Sequence, residues 1–177
     1  MIRVFVAIPI PEELQKEIFA WEKNYKNLPV RWGSGQSLHI TLVPPWYAED
    51  ANCAVGELSD IQSAVKPFEI RFDRVSFGTR PDAPRLIWAW GKEAGEEILK
   101  LKSVAEAVFG QRPEKRPYNP HLTLARFKDD DFKSFPIKHL EEKIDWKMKA
   151  DSVALYESRL HHSGAEYEIL KEIKLNA

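Results

Sequence analysis

The chain has 177 residues, of which 44% are hydrophobic, and its formal net charge is −1. A chain of this length fits one domain of ordinary size, and this composition supplies enough apolar side chains for a hydrophobic core. The near-zero charge excludes a protein held on nucleic acid or on a membrane by a global electrostatic field, so an anionic ligand must be captured by a local patch.

The first 65 residues or so predict two strands and two helices. Residues 2–8 form an apolar run, interrupted only by Arg3, that is typical of a buried strand, and Pro11 then opens a helix. A second strand follows at 38–42 and is expected to end at Pro44 and Pro45. A second helix is predicted over about 50–65. The apolar positions of the helices, three or four residues apart, are Leu14, Ile18, Trp21 and Tyr25 in the first and Val55, Leu58, Ile61 and Val65 in the second.

The rest of the chain predicts one more helix and several further strands. Helical spacing of apolar residues predicts a helix over about 94–109, which ends at Gly110. Strands with one apolar face, interspersed with helices, favour an α+β fold built on antiparallel sheets. The predicted strands are 68–77, 86–90, 119–127, and segments near 153–156 and 167–170.

Two features of the sequence concern the compartment in which the protein acts. Cys53 is the only cysteine, which excludes an intrachain disulfide and favours a reducing compartment. The apolar run at 2–8 is too short for a signal sequence or a membrane span. We therefore expect a cytoplasmic protein that makes no membrane contact.

The tripeptide His-x-Thr occurs twice, each time inside a short apolar run. Because successive side chains of a strand point to opposite faces, the histidine and threonine of each copy share one face and the aliphatic residues share the other. Two such faces brought together supply two imidazoles and two hydroxyls, which suffices for metal-free acid–base chemistry on a phosphate ester. The copies are Leu38-His39-Ile40-Thr41-Leu42 and His121-Leu122-Thr123-Leu124.

These motifs and their flanking segments resemble those of the 2H phosphoesterase superfamily, and within it the RNA 2′,3′-cyclic phosphodiesterases, also called 2′-5′ RNA ligases. The match covers nearly the whole chain. One segment departs from the pattern, because many relatives follow the first motif with Phe-Leu-Gly where residues 43–47 here read Val-Pro-Pro-Trp-Tyr. The matching segments are Arg3-Val4-Phe5-Val6-Ala7-Ile8, Arg31-Trp32, the two motifs, 119–126, Leu155-Tyr156-Glu157-Ser158, Gly164 and Tyr167.

The resemblance implies a bilobal α+β fold in which two antiparallel sheets face a central cleft and helices pack outside. It implies a single bilobal domain over 1–177 and hydrolysis of RNA or nucleotide 2′,3′-cyclic phosphate ends to a 2′-phosphate, with reversible 2′-5′ ligation as related chemistry. One histidine must be neutral and the other charged. We assign His39 as general acid and His121 as general base, although the pseudo-symmetric sequence offers no asymmetry that decides the order. Thr41 and Thr123 are expected to donate hydrogen bonds to phosphate oxygens.

Further substrate contacts are predicted at four positions. Arg126 matches the family motif, but strict alternation aims it away from His121 unless a bulge re-aims it. The aromatic residues Trp46, Tyr47 and Tyr118 flank the motifs and are expected either to stack on a nucleobase or to pack in the core or at its rim. No metal, no cofactor and a monomer are expected. The expected ligands are RNA ends or nucleotides that carry a 2′,3′-cyclic phosphate.

Two other functions remain open at the level of sequence. One is a nucleotide- or RNA-binding module that keeps the cleft without turnover. The other is an esterase for a small cyclic phosphate, such as an ADP-ribose derivative. Retention of both histidines and both threonines argues against the binding module, and competition between RNA ends and small nucleotides separates the esterase from the RNA enzyme.

Overall fold

The computed structural model describes residues 1–80, 82–92, 94–162 and 164–176. The strands are β1 (Ile2–Pro9), β2 (Arg31–Trp32), β3 (His39–Ala48), β4 (Phe68–Gly78), β5 (Leu86–Trp90), β6 (His121–Arg126), β7 (Glu141–Ala150), β8 (Ser152–His161) and β9 (Gly164–Lys174). The helices are α1 (Glu12–Glu22), α2 (Ala51–Glu57), α3 (Glu96–Val108) and α4 (Asp129–Phe132).

The strands form two antiparallel sheets. The four-stranded sheet has the order β3-β1-β8-β9, and the five-stranded sheet has the order β2-β6-β5-β4-β7. The two histidine motifs therefore lie in different sheets, one on β3 and one on β6. The predicted α+β architecture of two antiparallel sheets is confirmed.

The hydrophobic core draws residues from both sheets and from the helices. Helix α1 buries Leu14, Ile18 and Trp21, while α3 buries Ile98, Leu101 and Ala105. Both sets follow the three-to-four-residue spacing of a helix face. Because each strand alternates, the faces turned away from this core carry the polar and aromatic side chains from which the site is built.

Two predicted elements differ from the structure, and one strand has no counterpart among the predictions. The first motif strand does not end at Pro44 and Pro45 but continues to Ala48. Both prolines are exposed on an edge strand, at an irregularity in the pairing with β1. Proline has no backbone N–H, and at this position the sheet needs no hydrogen bond from one. The second helix covers Ala51–Glu57 and continues as a 3₁₀ turn to Ile61, and not as an α-helix to residue 65. Strand β7 was not predicted, although its buried residues Trp146, Met148 and Ala150 alternate with exposed ones.

Candidate active site

Strand β3 presents the first motif to one side. Ile40 and Leu42 are fully buried in the core, whereas His39 and Thr41 are half-buried on the opposite face. A 3₁₀ turn at Gly35–Ser37 leads into the strand and places the Gln36 carbonyl 3.4 Å from His39 Nδ1. A carbonyl only accepts hydrogen bonds, so this contact favours a proton on Nδ1 and leaves Nε2 as the reactive nitrogen.

Strand β6 presents the second motif in the same way. Leu122 and Leu124 are fully buried, and His121 and Thr123 are half-buried on the other face. The Asn119 carbonyl lies 2.9 Å from His121 Nδ1, which again favours Nε2 as the reactive nitrogen. In both motifs, therefore, the histidine and threonine lie on the face opposite the core, and a backbone carbonyl holds Nδ1 of the imidazole.

One cavity of about 820 Å³ brings the two motifs together. His39, Thr41, His121 and Thr123 all line it. A cavity of this size is typical of sites for small organic ligands and cofactors. Two imidazoles and two hydroxyls therefore converge on one space, each pair from the shared strand face that alternation predicts.

A β-bulge turns Arg126 into the cavity. In the pairing of β5 with β6, Ile87 faces Ala125 and Trp88 faces Thr123, so Leu124 is the extra residue. Leu124 and Ala125 are consecutive and both buried, after which Arg126 returns to the face of His121 and lines the cavity. Strict alternation aims Arg126 away from the site, and the bulge reverses that direction.

Burial lowers the pKa of both histidines, and of His39 most strongly. The ring of His39 packs between the rings of Phe5, Tyr156 and Tyr167, at centroid distances of 4.8, 5.4 and 5.1 Å. Burial, with smaller contributions from the charges of Arg126 and His121, lowers the pKa of His39 from 6.5 to about 4. A neutral His39 is therefore the resting form at neutral pH.

His121 has a more open setting. Its ring lies beside Trp88, with 5.1 Å between the centroids. Burial, followed by the charge of Arg126, lowers the pKa of His121, while its hydrogen bond to the Asn119 carbonyl opposes that change. The two imidazoles thus have unequal surroundings, which is the asymmetry that the sequence lacks.

The three predicted aromatic contacts lie elsewhere, since none is among the described residues that line the cavity. Trp46 packs against Phe109, with centroids 5.0 Å apart, and Tyr47 is 64% exposed towards the end of β3. The Tyr118 hydroxyl donates a 2.7 Å hydrogen bond to the Thr41 carbonyl. Of the two roles expected for these residues, the contacts of Trp46 and Tyr118 agree with packing.

A buried ion pair supports β3 from behind. Lys102 and Glu106, four residues apart on α3, contact each other and are 7% and 5% exposed. Lys102 Nζ also donates to the Leu42 carbonyl at 3.0 Å and lies 5.1 Å from the centre of the Tyr118 ring. These contacts tie α3 and the loop before β6 to the first motif. The opposite charges at i and i+4 are a signal of this pair in the sequence.

Further cavity residues escape sequence reasoning because distant segments supply them. The pairing of β2 with β6 places Arg31 opposite Arg126, and Arg31 Nη2 donates to the Ala165 carbonyl at 3.4 Å. The cavity wall also includes a lysine, two carboxylates, a histidine and three aromatic rings: Lys128, Asp131, Glu166, His162, Trp32, Phe127 and Tyr167. Three cations (Arg31, Arg126 and Lys128) against the two carboxylates leave a net charge of +1 in the wall, which is the local positive patch that an anionic ligand requires.

No group of three or more His, Cys, Asp or Glu side chains in the described ranges has the arrangement needed to hold a metal ion. No helix among the same residues has the length and apolarity to cross a membrane.

The fold and the paired motifs define a two-histidine site of the phosphoesterase kind, and comparisons with known proteins agree. The family model "2'-5' RNA ligase superfamily" matches residues 10–162. The RNA 2′,3′-cyclic phosphodiesterase of Bacillus subtilis strain 168 is 32% identical over 174 residues, which cover 94% of this chain and 93% of that protein. The protein of the same name from Methanocaldococcus jannaschii is 29% identical, and the match covers 97% of this chain and 99% of that protein.

Solved structures share the fold at lower sequence identity. TT0787 of Thermus thermophilus superposes with a TM-score of 0.75 at 21% identity, over 98% of this chain and 97% of that one. LigT of E. coli complexed with NADP+ superposes with a TM-score of 0.73 at 22% identity, over 98% of both chains. The chain belongs to the 2′-5′ RNA ligase superfamily, and the predicted family is confirmed.

Proposed function

We propose that this protein is an RNA 2′,3′-cyclic phosphodiesterase that opens the cyclic phosphate of RNA or nucleotide ends to a 2′-phosphate. The observation that carries the proposal is the convergence of both His-x-Thr motifs and Arg126 on one cavity. The name shared by the Bacillus and Methanocaldococcus relatives, which match over nearly their full lengths, supports the same activity.

The residues supply every proton transfer that the reaction needs. Water attacks phosphorus while one histidine takes its proton, and the bond from phosphorus to the ribose 3′-oxygen breaks as the other histidine protonates that oxygen. Thr41 and Thr123 donate to the non-bridging oxygens, where negative charge accumulates, and Arg126 adds a cation. If the 5′-hydroxyl of another RNA end attacks phosphorus in place of water, the same proton transfers give a 2′-5′ bond. This is the ligase reaction.

The unequal burial of the histidines favours one order of roles. A base must start neutral, and His39 is the imidazole whose pKa burial holds near 4. His121, with the smaller perturbation, is better suited to carry a proton to the leaving oxygen. These surroundings support His39 as base and His121 as acid, the reverse of the order assigned from the sequence.

The order of roles is open to a direct test with an activated leaving group. An aryl phosphodiester that releases p-nitrophenolate needs little help from an acid. His121→Ala should therefore retain more of its turnover on this ester, relative to the cyclic phosphate, than His39→Ala does. The opposite pattern would restore His39 as the acid.

Four further parts of the proposal are supported as well, by the site, by the comparisons or by the sequence. Both motifs come from one chain, so a monomer has a complete site. The two histidines meet the need for acid and base without a metal ion. The nucleotide complexes of the E. coli LigT structures, with 3′-AMP, ATP and NADP+, support a nucleotide as the ligand class. The single cysteine supports the cytoplasm as the place of action.

A turnover assay tests the proposal. The substrate is an oligoribonucleotide that ends in a 2′,3′-cyclic phosphate, in excess EDTA, and the proteins are wild type, His39→Ala and His121→Ala. We expect wild-type hydrolysis that persists in EDTA, a 2′-phosphate product, and loss of turnover in both variants. Saturable binding without turnover by wild type would refute the enzyme and support a binding module, whereas turnover confined to small cyclic nucleotides would support an esterase.

A further inference from the structure

The open face of the five-stranded sheet continues past His121 onto two tryptophans. Cross-strand register pairs Trp90 with His121 and Trp88 with Thr123, so these side chains share one face. The ring of Trp88 lies against that of His121. Neither tryptophan is among the described residues that line the cavity. This aromatic surface therefore begins where the cavity ends.

A single hydroxyl holds both indoles in place. Ser76 Oγ accepts from Trp88 Nε1 at 2.9 Å and from Trp90 Nε1 at 3.0 Å. Beneath Trp88 lies Gly78, where a Cβ atom would come within 2.6 Å of the indole ring. The ring of Trp88 thus lies close against the backbone of β4. We call the surface formed by Arg74, Ser76, Trp88 and Trp90 the tryptophan shelf.

The far end of the shelf carries positive charge. The guanidinium of Arg74 lies 5.4 Å from the centre of the Trp90 ring, and Lys143 is the register partner of Arg74 on β7. Glu141 forms an ion pair with Arg74. Two cations and one carboxylate leave a net charge of +1 at this end, which suits an anionic chain such as a phosphodiester backbone.

Fixed aromatic rings beside a cationic group are the usual means of binding unpaired bases. Base–aromatic stacking tolerates any base, because every base has a flat π-face, and a nearby arginine adds to it. The shared hydrogen bond to Ser76 orients both rings before a ligand arrives, so little side-chain freedom is lost on binding. Trp88 and Trp90 are half-buried, so part of each indole is exposed and can contact a base.

The position of the shelf decides which base it meets. The histidines that act on the terminal cyclic phosphate line the cavity, so the terminal nucleotide occupies it. The shelf lies beyond His121, outside that space, and so faces the next part of an RNA strand. We propose that the tryptophan shelf binds the base of the nucleotide that precedes the terminal cyclic phosphate, which makes an RNA end a better substrate than a nucleoside 2′,3′-cyclic phosphate.

This inference rests on the proposed cyclic phosphodiesterase activity, and a double comparison of protein and substrate tests it. One substrate is the dinucleotide of adenosine that ends in a 2′,3′-cyclic phosphate, and the other has an abasic ribose at the first position. The proteins are wild type, Trp90→Ala and the conservative variant Trp90→Phe. Trp90 is preferred to Trp88 because it is not in ring contact with His121.

We expect wild type to have a kcat/KM about 5- to 150-fold higher for the dinucleotide with both bases, since stacking on an aromatic side chain is worth about 1–3 kcal/mol. In Trp90→Ala that ratio should fall close to one, and in Trp90→Phe most of it should remain. A substrate whose terminal base is removed instead should show the same effect of Trp90→Ala as the intact dinucleotide.

Three results would overturn the inference, and they are distinguishable. If wild type does not discriminate between the two substrates, the shelf binds no base. If Trp90→Ala lowers kcat/KM equally for both, the tryptophan is a structural residue, and a thermal melt will show the matching loss of stability. If wild type turns over neither substrate in the presence of EDTA, the proposed activity itself fails and the inference falls with it.

Discussion

The unusual burial of His39 predicts a specific dependence of folding stability on pH. The folded protein holds the pKa of this imidazole near 4, against 6.5 for an unperturbed histidine. Between pH 4 and pH 6.5, His39 is mostly protonated in the unfolded chain and mostly neutral in the folded protein. Stability due to this residue is therefore complete above pH 6.5 and is lost progressively as the pH falls towards 4.

The perturbation that isolates this effect is His39→Gln, which keeps a polar side chain of similar reach but cannot titrate. Because each pKa unit corresponds to about 1.36 kcal/mol, the fall from 6.5 to about 4 amounts to about 3 kcal/mol. Protonation of groups that do not interact with His39 contributes equally to both proteins and cancels in their difference. The variant should therefore gain about 3 kcal/mol relative to wild type between pH 7 and pH 4.

Urea unfolding at a series of pH values measures this difference directly, provided that the slope against denaturant stays the same for both proteins. The diagnostic quantity is how the difference in unfolding free energy between wild type and His39→Gln changes with pH. A cost of the substitution that does not depend on pH has no effect on this change. Parallel stability curves for wild type and His39→Gln from pH 7 to pH 4 would refute the burial of a neutral imidazole at this position.

Two further predictions concern the charges around the site. Arg126→Gln removes a cation that lowers the pKa of both histidines of the cavity, so NMR titration should show the pKa of His39 rise in the variant, and an unchanged pKa would mean that Arg126 does not face the ring. Lys102→Met leaves the carboxylate of Glu106 buried without its partner and should cost about 3–5 kcal/mol of unfolding free energy, measured with urea. The double variant with Glu106→Leu should recover most of that loss, and a double variant as unstable as the single one would contradict the argument.

The histidine motifs were predictable because strand alternation is a local rule. Whether His39 and Thr41 share a face depends on the backbone of five consecutive residues, and the flanking aliphatic side chains in the sequence mark the buried side. The same reasoning is wrong for Arg126, because a bulge adds a residue to β6 and reverses the parity. A bulge depends on how β6 pairs with β5, two segments that are far apart along the chain.

Where a strand ends, and which distant residue a side chain meets, also depend on the tertiary structure. Proline predicts the end of a strand, but β3 passes through Pro44 and Pro45 because it is the edge of its sheet, and edge position is a property of the assembled sheet. The role of Tyr118 likewise depends on a distant partner, since its hydroxyl meets the carbonyl of Thr41 across 77 positions of sequence.

The sequence by itself therefore determined the family, the α+β class, and the four motif side chains with their shared faces, because each depends on the order and alternation of neighbouring residues. Tertiary structure alone decided that the two motifs meet in one cavity, that Arg126 and Arg31 lie side by side in its wall, and that aromatic rings surround His39. Desolvation depends on which distant residues pack around a group, so the unequal character of two identical motifs arises only when the chain is folded.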